Sequence, residues 1–441
     1  MKNKIKGFLK SKSMQNSGWI VGQQIFQMIL QLIVGVMTAR YLGPSNYGSL
    51  NYTASFVTFC TCFATLGMEG VIIKKFIEHP EKEGEYLGSA LVMRFISSTI
   101  SIIGVSVVVY ILNPDEPIKL LLVFLQSFQL TFKAAQIIDS WFQRYLKSKY
   151  VSIGKAVACI IVSAYKIFLL ATAKNIVWFA VSNALTDGVI ALIEYYFYVN
   201  VKGPKLKFSL STGKEILQES YHFIISGIMV AMYGQMDRIM IGQMLSDMDV
   251  GLYTTATAIC GMWIFVPDAI ITSFQPSIMV LKQNGKQSLY IRRLEQLYSG
   301  IIWLCIAVST VVAIMASFII SVLYGKAYLG AVQTLQIAIW YETFAMIGNA
   351  RGIWILCENK NKYVKYYLSI GAVTNLILNA IMIPVWGING AAVATLVTQI
   401  ITSIVAPMFF KETRHHTKIV LDAFLLRWYW RKKDNLYNRS R

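Results

Sequence analysis

The 441 residues are 56% hydrophobic and 14% charged, with 41 Lys and Arg against 22 Asp and Glu. That balance excludes an ordinary water-soluble domain, in which about a quarter of residues are charged. The net charge of +19 is dispersed over short segments with no RNA- or DNA-binding module among them, so it argues for membrane topology and no nucleic-acid partner.

About 20 apolar residues suffice to cross the hydrocarbon core, and the chain offers about 12 such stretches. The first, near 17 to 38, follows MKNKIKGFLKSKS. That leader is basic, as a signal peptide's is, yet the apolar run is full length and lacks a small-residue cleavage site, so it is expected to stay as helix one. It closes at Arg40 in TARYLGPSNYGSLNYTA, a turn carrying Gly43, Pro44 and Gly48. Spans near 50 to 73, 88 to 112, 119 to 140, 151 to 172 and 176 to 199 follow, with Glu69, Arg94, Lys133, Asp139, Lys155, Lys166, Asp187 and Glu194 placed in or at the ends of them. The stretch KGPKLKFSLSTGK, 202 to 214, reads as a cytoplasmic basic linker. A second set runs near 220 to 243, 252 to 280, 297 to 323, 330 to 357, 364 to 384 and 389 to 410. Its first member holds Asp237 and Arg238 side by side in MYGQMDRIMIGQM; its second holds Asp268 between Pro267 and Pro276, which read as kinks. The tail, 411 to 441, is a basic amphipathic segment whose dozen apolar residues are too few to span; with Trp428 and Trp430 it reads as a cytoplasmic helix on the anionic inner leaflet.

Orientation follows from Lys and Arg, which concentrate in cytoplasmic loops. With the N-terminus inside, about 31 of the 41 basic residues fall on the cytoplasmic side and four on the other, so both termini are expected to be cytoplasmic. The six cysteines all lie inside spans, apart from the four histidines in sequence, and read as small core residues rather than metal ligands or disulfides. No metal or cofactor is expected.

The turns after the first and seventh spans echo one another. Leu42 and Gly48 recur as Leu245 and Gly251, 203 residues on. Spans dividing six and six around such an echo predict a duplicated half: a bundle over 1 to 201 and another over 215 to 410, related by an axis along the membrane normal with a central cavity between them. The fold class expected is therefore an all-α integral membrane protein of about 12 helices in two six-helix bundles. Every extracytoplasmic loop is short, so the working chemistry must sit in the membrane.

TARYLGPSNYGSLNY, LGMEGVIIKKF, DRIMIGQMLSDMDVGLY and NLILNAIMIPVWGINGAAVAT resemble the polysaccharide-exporting flippases, the Wzx-type O-antigen and repeat-unit transporters of the MOP superfamily, which also holds MATE drug exporters and lipid II flippases. The resemblance implies a transporter, not an enzyme, that moves an undecaprenyl-diphosphate-linked oligosaccharide from the cytoplasmic to the outer leaflet of a bacterial plasma (inner) membrane, coupled to H+ or Na+. It implies membrane lipids, a polysaccharide polymerase and chain-length machinery as partners. A MATE-like drug or cation antiporter and a lipid II flippase are the rival cargoes on this architecture. A membrane-embedded glycan polymerase or glycosyltransferase is the rival of another class, and a catalytic loop to match it is missing from the sequence.

A diphosphate-linked sugar needs a polar, cation-bearing cavity to cross hydrocarbon. Arg238, Arg94, Arg40 and Lys133 are the candidate head-group contacts, since a planar guanidinium grips phosphate through paired donors. Asp237, Glu69, Asp187 and Asp268 are candidates for ion coupling or charge pairing, Glu69 with Arg94 in particular. Asp237 and Arg238 point about 100° apart on a helix and need separate partners. Gly43, Pro44, Gly48, Gly251, Asn375, Asn379, Pro384, Gly387 and Gly390 read as architectural, letting helices approach and turn.

Overall fold

The computed structural model describes residues 12 to 427. It is 88% helix with no strands among those residues, as lipid demands of a chain that must satisfy its backbone hydrogen bonds internally. Nine helices among the described residues are long and apolar enough to span. The helices are α1 Lys12–Thr65, α2 Glu69–Glu78, α3 Glu83–Leu112, α4 Pro117–Ala135, α5 Ile138–Arg144, α6 Ser148–Ala171, α7 Ile176–Asn200, α8 Leu210–Met244, α9 Asp247–Gly261, α10 Phe265–Gln283, α11 Gln287–Leu323, α12 Val332–Ala338, α13 Tyr341–Cys357, α14 Val364–Ile400 and α15 Arg414–Phe424. A π-helical turn, Ile401–Val405, carries α14 on to Phe409.

Two of these long helices are each a pair. In α1 the backbone at Gly43 leaves the helix with φ +72° and ψ 168°, and in α14 Gly387 does so with φ +58° and ψ −140°. Both φ values lie in the left-handed region that glycine enters without a Cβ penalty. Pro44 and Pro384 flank the two breaks. Each long helix is thus two spans joined by a sharp turn, which brings the nine to eleven of the expected spans; the stretch near 330 to 357 is made of two shorter helices and is not among the nine.

Other spans are broken where the sequence reads as continuous. The second ends at Thr65, and Leu66 and Gly67 both take positive φ, 53° and 57°, before the chain restarts as α2. Spans four and ten are also divided, at Gln136 and Ile137 and at Ile339 and Trp340, there with negative φ throughout. Those two breaks lie 203 residues apart, the offset that relates Gly48 to Gly251. The eighth span breaks between Gly261 and Phe265, ahead of Pro267 rather than at it, while Pro276 lies within α10. Proline suits the first turn of a helix because its missing N–H has no acceptor there, so the break precedes it. Helix seven begins at Leu210, well before the expected 220, and the 202 to 214 stretch is non-helical only as far as Ser209.

Packing divides the chain into two compact units, one ending at Ile239 and the other beginning at Met240. In the first, a core of Met68, Ile72, Phe76, Leu87, Trp141, Phe142 and Tyr198 joins α2 to α3, α5 and α7. The segment leading into α8 is held against α3: the Lys207 amide donates to the Gly84 carbonyl at 3.0 Å, and Ser89 bonds the Ser209 carbonyl at 3.1 Å. A Cβ at Gly84 or Gly88 would collide with the Lys205 or Lys207 carbonyl, which is why that extended chain can lie so close. Lys75, buried on α2, bridges Glu215 at 2.6 Å and Glu219, both on α8. In the second unit the core gathers Tyr290, Leu294, Tyr298, Ile302, Met346, Trp354 and Tyr367 around α11 and α13. Outward faces, such as Ile100, Ile103, Val107 and Ile111 on α3 and Ile314, Phe318 and Val322 on α11, stay exposed and apolar, the pattern of helices whose solvent is lipid.

Candidate functional site

The first unit gathers most of the charges singled out in the sequence. Arg94 on α3 is 1% exposed, and its Nη2 lies 3.7 Å from Glu69 Oε1. Its Nε and Nη1 have no hydrogen-bond partner among the described residues. Glu69 is not deep in a continuous helix: it opens α2, just past the Leu66 and Gly67 break, with its side chain 71% exposed. There the helix N-terminus favours its negative charge.

A second group lies where α4, α5, α6 and α7 meet. Gln136 Nε2 donates to Asp187 Oδ1 at 2.9 Å, the charge of Lys133 acts on the same carboxylate, and Lys155 pairs with Asp139 at 3.3 Å. Glu194, 1% exposed, sits near Asp139 and Lys155 with neither carboxylate oxygen hydrogen-bonded among the described residues. Lys133 and Asp187, separate candidates in sequence, therefore belong to one network. A polar pocket of about 350 Å³ beside it is lined by residues of α1, α4, α6 and α7, Gln129, Lys166, Asn183 and Asp187 among them.

Asp237 and Arg238 fall near the end of α8. Asp237 is buried and Arg238 is half-buried, as expected of neighbours facing about 100° apart. Arg238 has no carboxylate within ion-pair distance among the described residues; its charge acts on Tyr47, in the turn motif after Gly43. Arg40 is exposed three residues before Gly43. Near Arg238, an apolar crevice of about 510 Å³ runs between α1, α3 and α8, walled by Phe56, Phe59, Phe63, Ile100, Val108 and Met236.

In the second unit Asp268 lies exposed in the first turn of α10, with Asn349 as hydrogen-bond partner and the buried Glu342 as a neighbouring charge. Glu342 was missed in the sequence, although WYETF falls in the middle of the span near 330 to 357. Asn375 and Asn379 are buried: Asn379 donates to Asn375 Oδ1 at 3.1 Å, and Asn375 to Thr395 Oγ1 at 3.3 Å. Gly390 faces the Met382 carbonyl so closely that a Cβ would collide with it. Gly48 and Gly251 are buried. Arg351, which the sequence leaves unassigned, donates to the Thr402 carbonyl at 2.7 Å and lies 4.2 Å from the Tyr367 ring centre. It thereby satisfies a carbonyl in the π-helical turn, where the regular ladder is interrupted.

Among the described residues no group of three or more His, Cys, Asp or Glu is arranged to hold a metal ion. These spans hold charge in helices long enough to cross a bilayer. The fold has counterparts among transporters. A lipid II flippase, MurJ, in an inward closed conformation aligns with a TM-score of 0.69 at 15% identity over 92% of this chain and 90% of that one. An inward-facing multidrug resistance MATE family transporter aligns with a TM-score of 0.62 at 13% identity, over 92% and 99%. The molecule is a multi-pass membrane protein with the MOP-superfamily transporter fold. It belongs to the polysaccharide biosynthesis protein family, whose pattern matches residues 13–278. A curated relative from Haloferax volcanii, the "Probable low-salt glycan biosynthesis flippase Agl15", is 24% identical over 84% of this chain and 78% of its own length.

Proposed function

We propose that the protein is a flippase for polyprenyl-diphosphate-linked oligosaccharides, working by alternating access between two six-helix bundles in a bacterial inner membrane, and delivering repeat units for polymerisation outside. The observation that carries the reading is Arg238: an always-charged guanidinium in a membrane-spanning helix, without a carboxylate partner among the described residues, in a chain of the polysaccharide biosynthesis family. A cation within a membrane-spanning helix is costly unless something anionic meets it, and a diphosphate does so in the geometry guanidinium prefers. Arg94, with two unused donors, supplies a second such group. The apolar crevice beside Met236 suits the prenyl chain, which stays in lipid while the head group crosses. The name of a relative favours this cargo over the rivals: Agl15 is called a probable glycan biosynthesis flippase.

The test is reconstitution into liposomes with a fluorescent polyprenyl-diphosphate oligosaccharide, with and without a proton or sodium gradient. Flipping is expected in the unaltered protein, reduced about tenfold or more by Arg238→Ala and less by Arg238→Lys, which keeps charge but loses the fork. Unimpaired flipping by Arg238→Ala overturns the head-group assignment. Extrusion of organic cations without flipping of any such lipid overturns the function.

A further inference from the structure

The pocket between α1, α4, α6 and α7 is lined largely by polar side chains, and the head-group reading does not use it. Its walls carry four side chains with hydrogen-bonding capacity to spare. Gln31, Gln129, Lys166 and Asn183 have no side-chain hydrogen bond to any described residue. Gln129 is only 7% exposed, so its amide is not spent on bulk solvent either. An uncompensated amide in a membrane bundle is costly, and the buried Gln129, with the half-buried Asn183 and the exposed Gln31 on the same cavity, points to a ligand that bonds amides.

Charge narrows the class. Two titratable side chains of formal charge line the pocket, Lys166 and Asp187. Asp187 is already served: it accepts from Gln136 and feels Lys133 and Lys155. Lys166 has no carboxylate within ion-pair distance among the described residues. The uncompensated charge is thus a single ammonium, which repels an organic cation and is one charge short for a diphosphate, but matches one carboxylate. The rest of the wall is mixed: Ser163 and Thr186 add hydroxyls, and Val34, Gly35 and Val162, with Cys159, form a low apolar strip of the kind the C–H faces of a pyranose require. About 350 Å³ lies within the range of small-ligand sites.

We propose that this pocket is a subsite for an acidic monosaccharide of the glycan head group, a uronic acid whose carboxylate meets Lys166 while Gln31, Gln129 and Asn183 bond its hydroxyls. The site makes the transporter selective for acidic over neutral glycans. This rests on the flippase reading, and binding and flipping are therefore measured separately. Intact protein in nanodiscs is probed by saturation-transfer NMR with methyl glucuronide and methyl glucoside. Liposomes are charged with matched polyprenyl-diphosphate disaccharides ending in glucuronate or glucose.

Transfer to the glucuronide is expected to exceed transfer to the glucoside, to fall about tenfold or more in Lys166→Met, and to recover in Lys166→Arg. The ratio of acidic to neutral flipping should fall by a similar factor in Lys166→Met. Gel-filtration profiles identify a variant that merely fails to fold, and Lys166→Arg then carries the comparison through its recovered preference. Equal binding of the two glycosides, or a flipping ratio indifferent to Lys166→Met, overturns the subsite and leaves the flippase standing. Lys166-dependent glucuronide binding in a protein that flips neither lipid overturns the flippase and leaves an acidic-sugar site.

Discussion

Gly67 shows how a single residue can be visible in sequence and its consequence not. LGMEGV reads as two glycines easing a helix past an acid, yet one ends the helix and the other does not. Gly67 has φ +57°, and a Cβ there would stand 2.7 Å from Phe223 Cβ; Gly70, three residues on, has open space. Gly67→Ala is therefore expected to cost about 1–3 kcal/mol, from left-handed strain and the collision together. Gly70→Ala is expected to be neutral or slightly stabilising, since alanine is the better helix former. Thermal unfolding in detergent, followed by size-exclusion fluorescence, checks both, and equal effects would sink the assignment of the break. Charged candidates were legible because charge in an apolar run is conspicuous. Gln129 and Asn183 were not, being neutral amides whose partnerless state appears only once the helices are packed.

Elements were legible to the extent that hydrophobic length decides them. The breaks inside spans two, four and ten were not, since they depend on how helices meet rather than on polarity, whereas Pro267 marked the eighth span as kinked and the break falls just ahead of it. The last helix is instructive. Its apolar dozen predicts an amphipathic element at a lipid surface, and α15 does bury one face, but against its own unit. Tyr298 Oη lies 2.7 Å from His416 Nε2, Ser299 donates to the Ala423 carbonyl at 2.6 Å, and Trp303 stacks on Phe424. Trp428 and Trp430 lie outside the described residues. Burial, with Arg351 and His415 adding positive charge nearby, pushes His416 well below the ordinary histidine value. The ring is neutral when docked, whereas an undocked ring titrates near about 6.5. Below that pH the undocked state binds the extra proton, so docking is unaffected at neutral pH and weakens as the solution is acidified. Hydrogen exchange across 414 to 424 is expected to be faster at about pH 5.5 than at pH 7.5, after correction for intrinsic rates. His416→Gln, which keeps a partner for Tyr298, should abolish the difference. Equal protection in the unaltered protein at both pH values would refute the coupling.

At the scale of the molecule, duplication and orientation rest on different physics. The expectation of a repeat rests on Leu42 and Gly48 against Leu245 and Gly251, and the breaks at Gln136 and Ile339 recur at the same offset, a feature no residue pattern displayed. A fold repeats its helix breaks when each break aims a following segment, so they persist where side chains have diverged. Orientation is set during insertion by loop charge, and helix geometry carries no record of it. The turn between α3 and α4 holds Asp115 and Glu116 and no basic residue, whereas the one between α10 and α11 holds Lys286 with Lys282 close by. Retention of Lys and Arg on the cytoplasmic side then predicts opposite exposures for the two. In a cysteine-free background, Asp115→Cys should react with a membrane-impermeant maleimide added to whole cells, and Gly285→Cys only after permeabilisation. The reverse pattern would invert the protein in the membrane. It would also reverse the glycan's path relative to the chain, because loading from the cytoplasm would then occur at the face on which the turn after Gly43 lies.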